Sequence, residues 1–184
     1  MDLARENIFR RVRLALRVEA HRPAPPTNAP IWPTITDAEA RFRAEFEALR
    51  GELIPDAEAL RTFLAGFKRI ATDGSEPVGT GNATARDCDL GVTGCDCVVA
   101  QTGSIVVSGE RALSVLPPVH LVIARRDQLV PDLAAALASL RRRYGSRWPS
   151  ALSFITGPSR TADIEKILVM GAHGPKRLAL YWVD

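Results

Sequence analysis

Two runs in the second half of the chain are apolar at consecutive positions rather than at every second one: Ser104–Ser108 (Ser-Ile-Val-Val-Ser) and residues 119–124 (Val-His-Leu-Val-Ile-Ala). β-Branched residues favour strands, and an unbroken apolar strand needs cover on both faces, as in a parallel sheet flanked by other layers. Helical spacing of Leu133, Ala136, Leu137 and Leu140 follows over residues 129–143. Residues 151–156 then predict a third strand, residues 161–170 a helix, and Arg177–Val183 a last strand. Strands alternating with helices imply right-handed crossovers and a layered α/β sandwich.

The first half is mostly helical. Ile8, Val12, Ala15 and Leu16 share one face of an amphipathic helix over residues 2–18, with Arg5, Arg10, Arg11, Arg13 and Arg17 distributed around it. An organelle transit peptide would also be amphipathic and Arg-rich, but Asp2, Glu6 and the lack of serine argue against that reading. Residues 19–35 carry Pro23, Pro25, Pro26, Pro30 and Pro33, which cannot continue a helix, so an extended linker is expected. Two more helices are expected over residues 37–50, with Ala38, Phe42, Phe46 and Leu49 on one stripe, and over residues 56–70, after Pro55, with Leu60, Leu64 and Phe67 inward. Residues 71–95 are rich in Gly, Thr, Asp and Asn, which form turns, and any strands there should be short. The expected organisation is an N-terminal helix and linker over residues 1–35 and a single α/β domain over residues 36–184, a length that suits one core.

Composition excludes several classes. The net charge of +3 is small, and the only tight basic cluster, Arg141 to Arg143, suits the negative pole of a helix end, so nucleic-acid binding is not expected. Three cysteines, Cys88, Cys95 and Cys97, make no disulfide framework, and the first twenty residues lack the apolar core of a secretory leader, which together predict a reducing cytoplasm. No segment has the ~20 apolar residues of a membrane span. The three histidines lack zinc-type partners, the cysteines lack iron–sulfur spacing, and neither a phosphate loop nor a Gly-x-Ser-x-Gly elbow is present. Gly79-Thr80-Gly81 opens like a dinucleotide fingerprint, but Thr84 stands where the last glycine belongs.

Three turns carry the candidate chemistry. The strongest is Thr156-Gly157-Pro158-Ser159-Arg160-Thr161, leading to Asp163 and Glu165. It is expected to join a strand to a helix, where unpaired amides attract an anion and Ser159 or Thr161 caps the helix. An equally good reading is a capped turn in which Asp163 and Glu165 merely match the helix dipole. The second is Gln101-Thr102-Gly103-Ser104, and the third Gly171-Ala172-His173-Gly174-Pro175, whose histidine could move a proton near neutral pH or have no task at all.

These motifs, with Arg111-Ala112-Leu113-Ser114-Val115-Leu116-Pro117-Pro118-Val119-His120 between them, resemble in order and spacing the LUD domain of the lactate-utilisation protein C family, over about residues 89 to 184. The opening Glu6-Asn7-Ile8-Phe9-Arg10-Arg11-Val12-Arg13 is similar to that family's first helix. The resemblance implies a three-layer α/β/α sandwich around a mainly parallel sheet, like the sugar-phosphate isomerase and CoA-transferase group. It also implies a part in oxidising L-lactate to pyruvate beside two iron–sulfur partner proteins, with no cofactor or metal in this chain. The expected ligand-binding residues are Thr102, Gly103, Ser104, Gly157, Ser159, Arg160, Thr161, Asp163, Glu165 and His173, gripping a small anion. Two alternatives stand beside this: an enzyme acting alone on a sugar phosphate or CoA ester, with Glu165 or Asp163 as base or nucleophile, and an interaction module docking its first helix on iron–sulfur partners. Whether copies of the chain associate is left open.

Overall fold

Seven-residue strands at Val119–Arg125 and Arg177–Val183 pair in parallel along their whole length, from Arg177 opposite Val119 to Val183 opposite Arg125. The computed structural model in which they lie describes residues 3–17, 24, 33–75, 77–109, 111–161, 169–170 and 173–183. It divides into two units, Met1–Thr34 and Ile35–Asp184. The first holds helix α1 (Leu3–Ala15), with Glu6 in its first turn and Arg13 in its last, each matching the nearer pole of the helix dipole.

The second unit runs α2 (Ala38–Ala48), β1 (Glu52–Ile54), α3 (Ala57–Ala65), β2 (Ile70–Thr72), β3 (Leu90–Thr93), β4 (Cys97–Val99), β5 (Ser104–Ser108), α4 (Arg111–Val115), β6 (Val119–Arg125), a 3₁₀ turn at Arg126–Gln128, β7 (Leu129–Val130), α5 (Leu133–Tyr144), β8 (Leu152–Ile155), β9 (Arg160–Thr161), β10 (Val169–Met170) and β11 (Arg177–Val183). Aspartates start three of the helices: Asp37, Asp56 and Asp132 accept from the amides of Ala40, Ala59 and Ala135 at 2.9, 2.8 and 2.7 Å.

The main sheet has the order β1-β11-β6-β3-β2 and every pairing in it is parallel. One face presents Leu90, Val92, Val119, Leu121, Ile123 and Ala179 to Leu60, Phe63, Leu64 and Phe67 on and just after α3. The other presents Val122, Ala124, Leu178 and Leu180 to Phe42 and Phe46 of α2 and to Val98, Ala100, Ile105 and Val107. Cover on both sides is the reason these strands are apolar at successive positions. A second sheet, ordered β7-β4-β5-β8, turns Cys97, Val99 and Val106 the other way, onto Ala136 and Leu140 of α5.

The α/β class and the mainly parallel sheet are as the sequence indicates, but two strands expected in that sheet are elsewhere. β5 and β8 pair antiparallel with each other in the second sheet, Ile105 opposite Ile155 and Ser108 opposite Leu152. A continuous apolar run reports burial on both faces, and β5 has it between the main sheet and α5; the run says nothing about strand direction. The helix expected from residue 129 starts at Leu133, because Pro131 interrupts it and Leu129–Val130 instead pair with β4. At the ends of the helix expected over residues 161–170, Thr161 and Val169–Met170 belong to the antiparallel pair β9–β10, and residues 162–168 lie outside those described. Most of the expected linker is also outside them.

Two glycines fix how the second sheet meets α2. Gly103 has φ +62°, and a Cβ there would stand 2.7 Å from the backbone nitrogen of Phe46. Gly157 has φ +78°, with a Cβ position 2.9 Å from the Leu49 carbonyl oxygen. Both need a left-handed residue without a side chain. Gly103→Ala should therefore lower stability in urea titration by about 2–4 kcal/mol, from backbone strain plus overpacking. Gly109→Ala, at φ +95° with open space around it, should cost only the strain, about 1–2 kcal/mol.

Candidate functional site

Parallel strands end at one edge, and in open α/β sheets ligands bind beyond the carboxyl ends of the strands. Here that edge is formed by the residues at or just after the ends of β2, β3, β6 and β11: Asp73, Gly94, Arg125 and Val183. With Asp96, Ser108 and Arg143 from the second sheet and α5, they line a crevice of about 400 Å³, a volume that suits a small molecule. The loop after β2 is tied to β3: Asp73 Oδ2 accepts from the Gly94 amide at 3.0 Å, and its Oδ1 accepts from the Ser75 amide and hydroxyl at 3.0 and 2.6 Å.

Asp96 is the most constrained charge in the crevice. Its side chain is 2% exposed, against 55% for Arg143, whose Nη1 lies 3.4 Å from Asp96 Oδ1. Tyr144 Oη donates to the same oxygen. A phenol has one proton, so at the 2.8 Å contact between Tyr144 Oη and Ser108 Oγ it is the serine that donates. Burial, and then the bond to Asp96, raise the Tyr144 pKa above its ordinary value, which keeps that proton in place. Asp96 Oδ2 is buried and has no partner among the described residues. A buried carboxylate oxygen without a donor is costly, and a ligand bearing an O–H or N–H would satisfy it.

The opposite wall is basic. Arg125 makes a two-pronged pair with Asp127, both contacts at 3.0 Å, which raises the guanidinium pKa further. Gln128 braces this wall: its Oε1 accepts from the Arg125 amide at 2.7 Å and its Nε2 donates to the Cys95 carbonyl at 2.6 Å. Burial pushes the Cys95 thiol far up, so it stays protonated. Behind the crevice, Thr93 Oγ1 and His120 Nε2 are 2.9 Å apart. His120 is fully buried, and burial lowers its pKa to about 4 against the opposing field of Asp73, so the ring is neutral at pH 7. Among the described residues no group of His, Cys, Asp and Glu is arranged to hold a metal ion.

The three turns singled out in the sequence do come together. Ser104 Oγ lies 2.8 Å from both Thr102 Oγ1 and Thr156 Oγ1, which joins the first bend to the strand end beside Gly157. The Ser159 amide donates to the Pro175 carbonyl at 2.9 Å, which joins the second bend to the third. Arg160 and His173 are exposed, whereas Ser104 is buried with its hydroxyl held between two others. Asp163 and Glu165 lie outside the described residues. This rim is at the amino edge of the parallel sheet: Lys176, just before β11, donates to the Pro118 carbonyl, just before β6, at 2.8 Å. It is thus at the far end of β5 from the crevice, since Ser104 starts that strand and Ser108 ends it.

Sequence reading missed the crevice residues Asp73, Asp96, Arg125 and Arg143, and Tyr144 bonded to Asp96. A signal existed in the polar residues that directly follow short β-branched runs, Asp73 after Ile70-Ala71-Thr72 and Gly94 after Val92-Thr93. It was hidden because strands of three or four residues show too little periodicity to be separated from the surrounding turns.

An all-parallel five-stranded sheet covered on both faces, with a charged crevice at its carboxyl edge, defines the protein as one of the α/β class. The fold is shared with a crystal structure of a DUF162 family protein from Deinococcus radiodurans, at a TM-score of 0.55 and 21% identity over 80% of this chain and 96% of that one. The model of the LUD domain matches residues 81–183, and the chain belongs to that family. Lactate utilization protein C of Halalkalibacterium halodurans is 39% identical over 106 residues, covering 54% of this chain and 46% of that protein. That of Bacillus subtilis is 34% identical over 106 residues, covering 54% and 44%. The chain thus aligns with less than half the length of these relatives. No helix among the described residues is long and apolar enough to cross a membrane.

His120 gives the fold a pH signature. Its folded pKa of about 4 lies below the unfolded value of 6.5, so between those values the unfolded chain binds a proton that the native state excludes. Stability contributed by the neutral ring is complete above pH ~6.5 and is lost as pH falls toward 4, by an amount on the order of 3 kcal/mol. Urea titrations at pH 7, 5.5 and 4 should show a steeper loss for the native chain than for His120→Gln; parallel slopes would contradict the assignment.

Proposed function

We propose that this chain serves in lactate utilisation as a non-redox subunit, binding a small hydroxycarboxylate in the crevice at the carboxyl edge of its parallel sheet. The observation that carries the reading is the juxtaposition there of a half-exposed guanidinium, Arg143, with the buried carboxylate of Asp96, one oxygen of which lacks a donor among the described residues. A carboxylate ligand pairs with Arg143, and Arg125 adds positive potential on the facing wall. A hydroxyl on the neighbouring carbon donates to Asp96. The names of the relatives supply the pathway. Electron transfer belongs, on this reading, to iron–sulfur partner proteins, and this chain positions or senses the acid for them.

The convergence of the three bends favours a second reading. There the exposed Arg160, with the amides of its turn, holds the phosphate of a sugar phosphate or CoA ester, and the chain acts alone.

Calorimetric titration of the full chain separates the two. L-Lactate should bind saturably, Arg143→Ala should weaken it at least tenfold, about 1.4 kcal/mol, and Arg160→Ala should leave it unchanged. Loss on Arg160→Ala with a pentose phosphate as the ligand would move the site to the rim. Failure of lactate, pyruvate, pentose phosphate and acetyl-CoA alike to bind would end both readings.

A further inference from the structure

α1 has features that neither the crevice nor the rim uses. Residues 3–17, α1 and the two residues after it, carry five arginines against the single acid Glu6. None of its residues is buried, and Ile8, Phe9, Val12 and Leu16 are 61, 46, 47 and 79% exposed. Leu3 and Leu14, on the opposite face, are also exposed, at 82 and 54%, and apolar side chains outside any core are a standing cost in water.

We propose that α1 is an interfacial helix that holds the chain on an anionic lipid surface. At about 100° of turn per residue, Ile8, Val12 and Leu16 form one stripe with Phe9 at its border. Arg11 and Arg13, as the neighbours of Val12, stand about 100° to either side of the stripe's centre. When the stripe is buried to the depth of the acyl boundary, these guanidiniums sit level with the phosphates on both flanks. Arg5 lies nearer the stripe itself, with its guanidinium 5.3 Å from the centre of the Phe9 ring, and its long stem reaches the headgroups from there.

The same geometry argues against a groove on a protein partner. A groove that covered the stripe would also enclose its two flanks, and would take two guanidiniums out of water unless each met its own carboxylate. A lipid surface leaves them hydrated and offers phosphates at the required height. At thirteen residues α1 is about 20 Å long, too short to span a bilayer but long enough to lie along one. Arginines near an anionic surface are attracted to it within a Debye length, so the attachment should depend on both lipid charge and salt.

Co-sedimentation of the full chain with vesicles tests this. Phosphatidylcholine vesicles containing about 30% phosphatidylglycerol, a charge density suited to electrostatic attachment, should bind the chain at least tenfold more tightly than phosphatidylcholine alone. High salt should release it. Val12→Glu and the double variant Arg11→Glu/Arg13→Glu should each lose at least tenfold, with circular dichroism and urea stability of the body unchanged, because no residue of α1 is buried. Equal binding to both vesicles, no binding to either, or full binding by Val12→Glu would overturn the proposal. Absence of vesicle binding together with residue 1–35-dependent capture of purified iron–sulfur partners would make α1 a protein-docking helix instead.

Discussion

The register of β6 against β11 governs the rest of the molecule. Seven residues pair with seven; β6 is buried from Val119 to Ala124 and β11 from Leu178 to Leu180. β1 adds to one side of this pair and β3, then β2, to the other, all in the same direction. A shift of one residue would exchange the set that packs on α3 for the set that packs on α2 and the second sheet. Because all five strands run one way, the pair also gives the sheet two unlike edges. The carboxyl edge ends in Arg125 and Val183 and opens into the crevice, while the amino edge begins at Pro118 and Lys176 and carries the rim of glycine-containing bends.

The second sheet converts that edge into a site. A parallel sheet alone offers strand ends and loops, whereas β4, β5 and α5 bring a wall from a separate layer. Asp96 precedes β4, Ser108 ends β5, and Arg143 and Tyr144 end α5, so residues up to 48 positions apart share one carboxylate. The three arginines that close α5 suit its negative pole, as the sequence suggests, but one of them also faces the crevice. A single side chain thus serves a helix end and a candidate binding site, and sequence shows only the first of these roles.

What could be read directly were features whose cause is local. The stripes of Phe42 and Phe46 and of Leu60 and Leu64, and the long strands β6 and β11, all follow from spacing over a few residues. The bends at Gly103 and Gly157 were legible as turns, and their meeting at one rim is real. The crevice was not legible. β2, β3 and β4 are three or four residues long, too short for a period, and they sit among turn-forming residues that mask them. Reading residues 151–156 as a parallel strand put the Gly157 bend at a carboxyl end; the antiparallel pairing of β8 with β5 puts it beside Ser104, at the other edge.

By itself the sequence determined which segments must be covered on both faces and, through the order of its motifs, that the chain is of the LUD kind. Those properties depend on side-chain chemistry counted along the chain. Strand direction, the division into two sheets and the assembly of Asp73, Asp96, Arg125 and Arg143 around one crevice were decided only by tertiary structure. An apolar run is equally satisfied by a parallel or an antiparallel neighbour, and charges far apart in sequence meet only after that choice has been made.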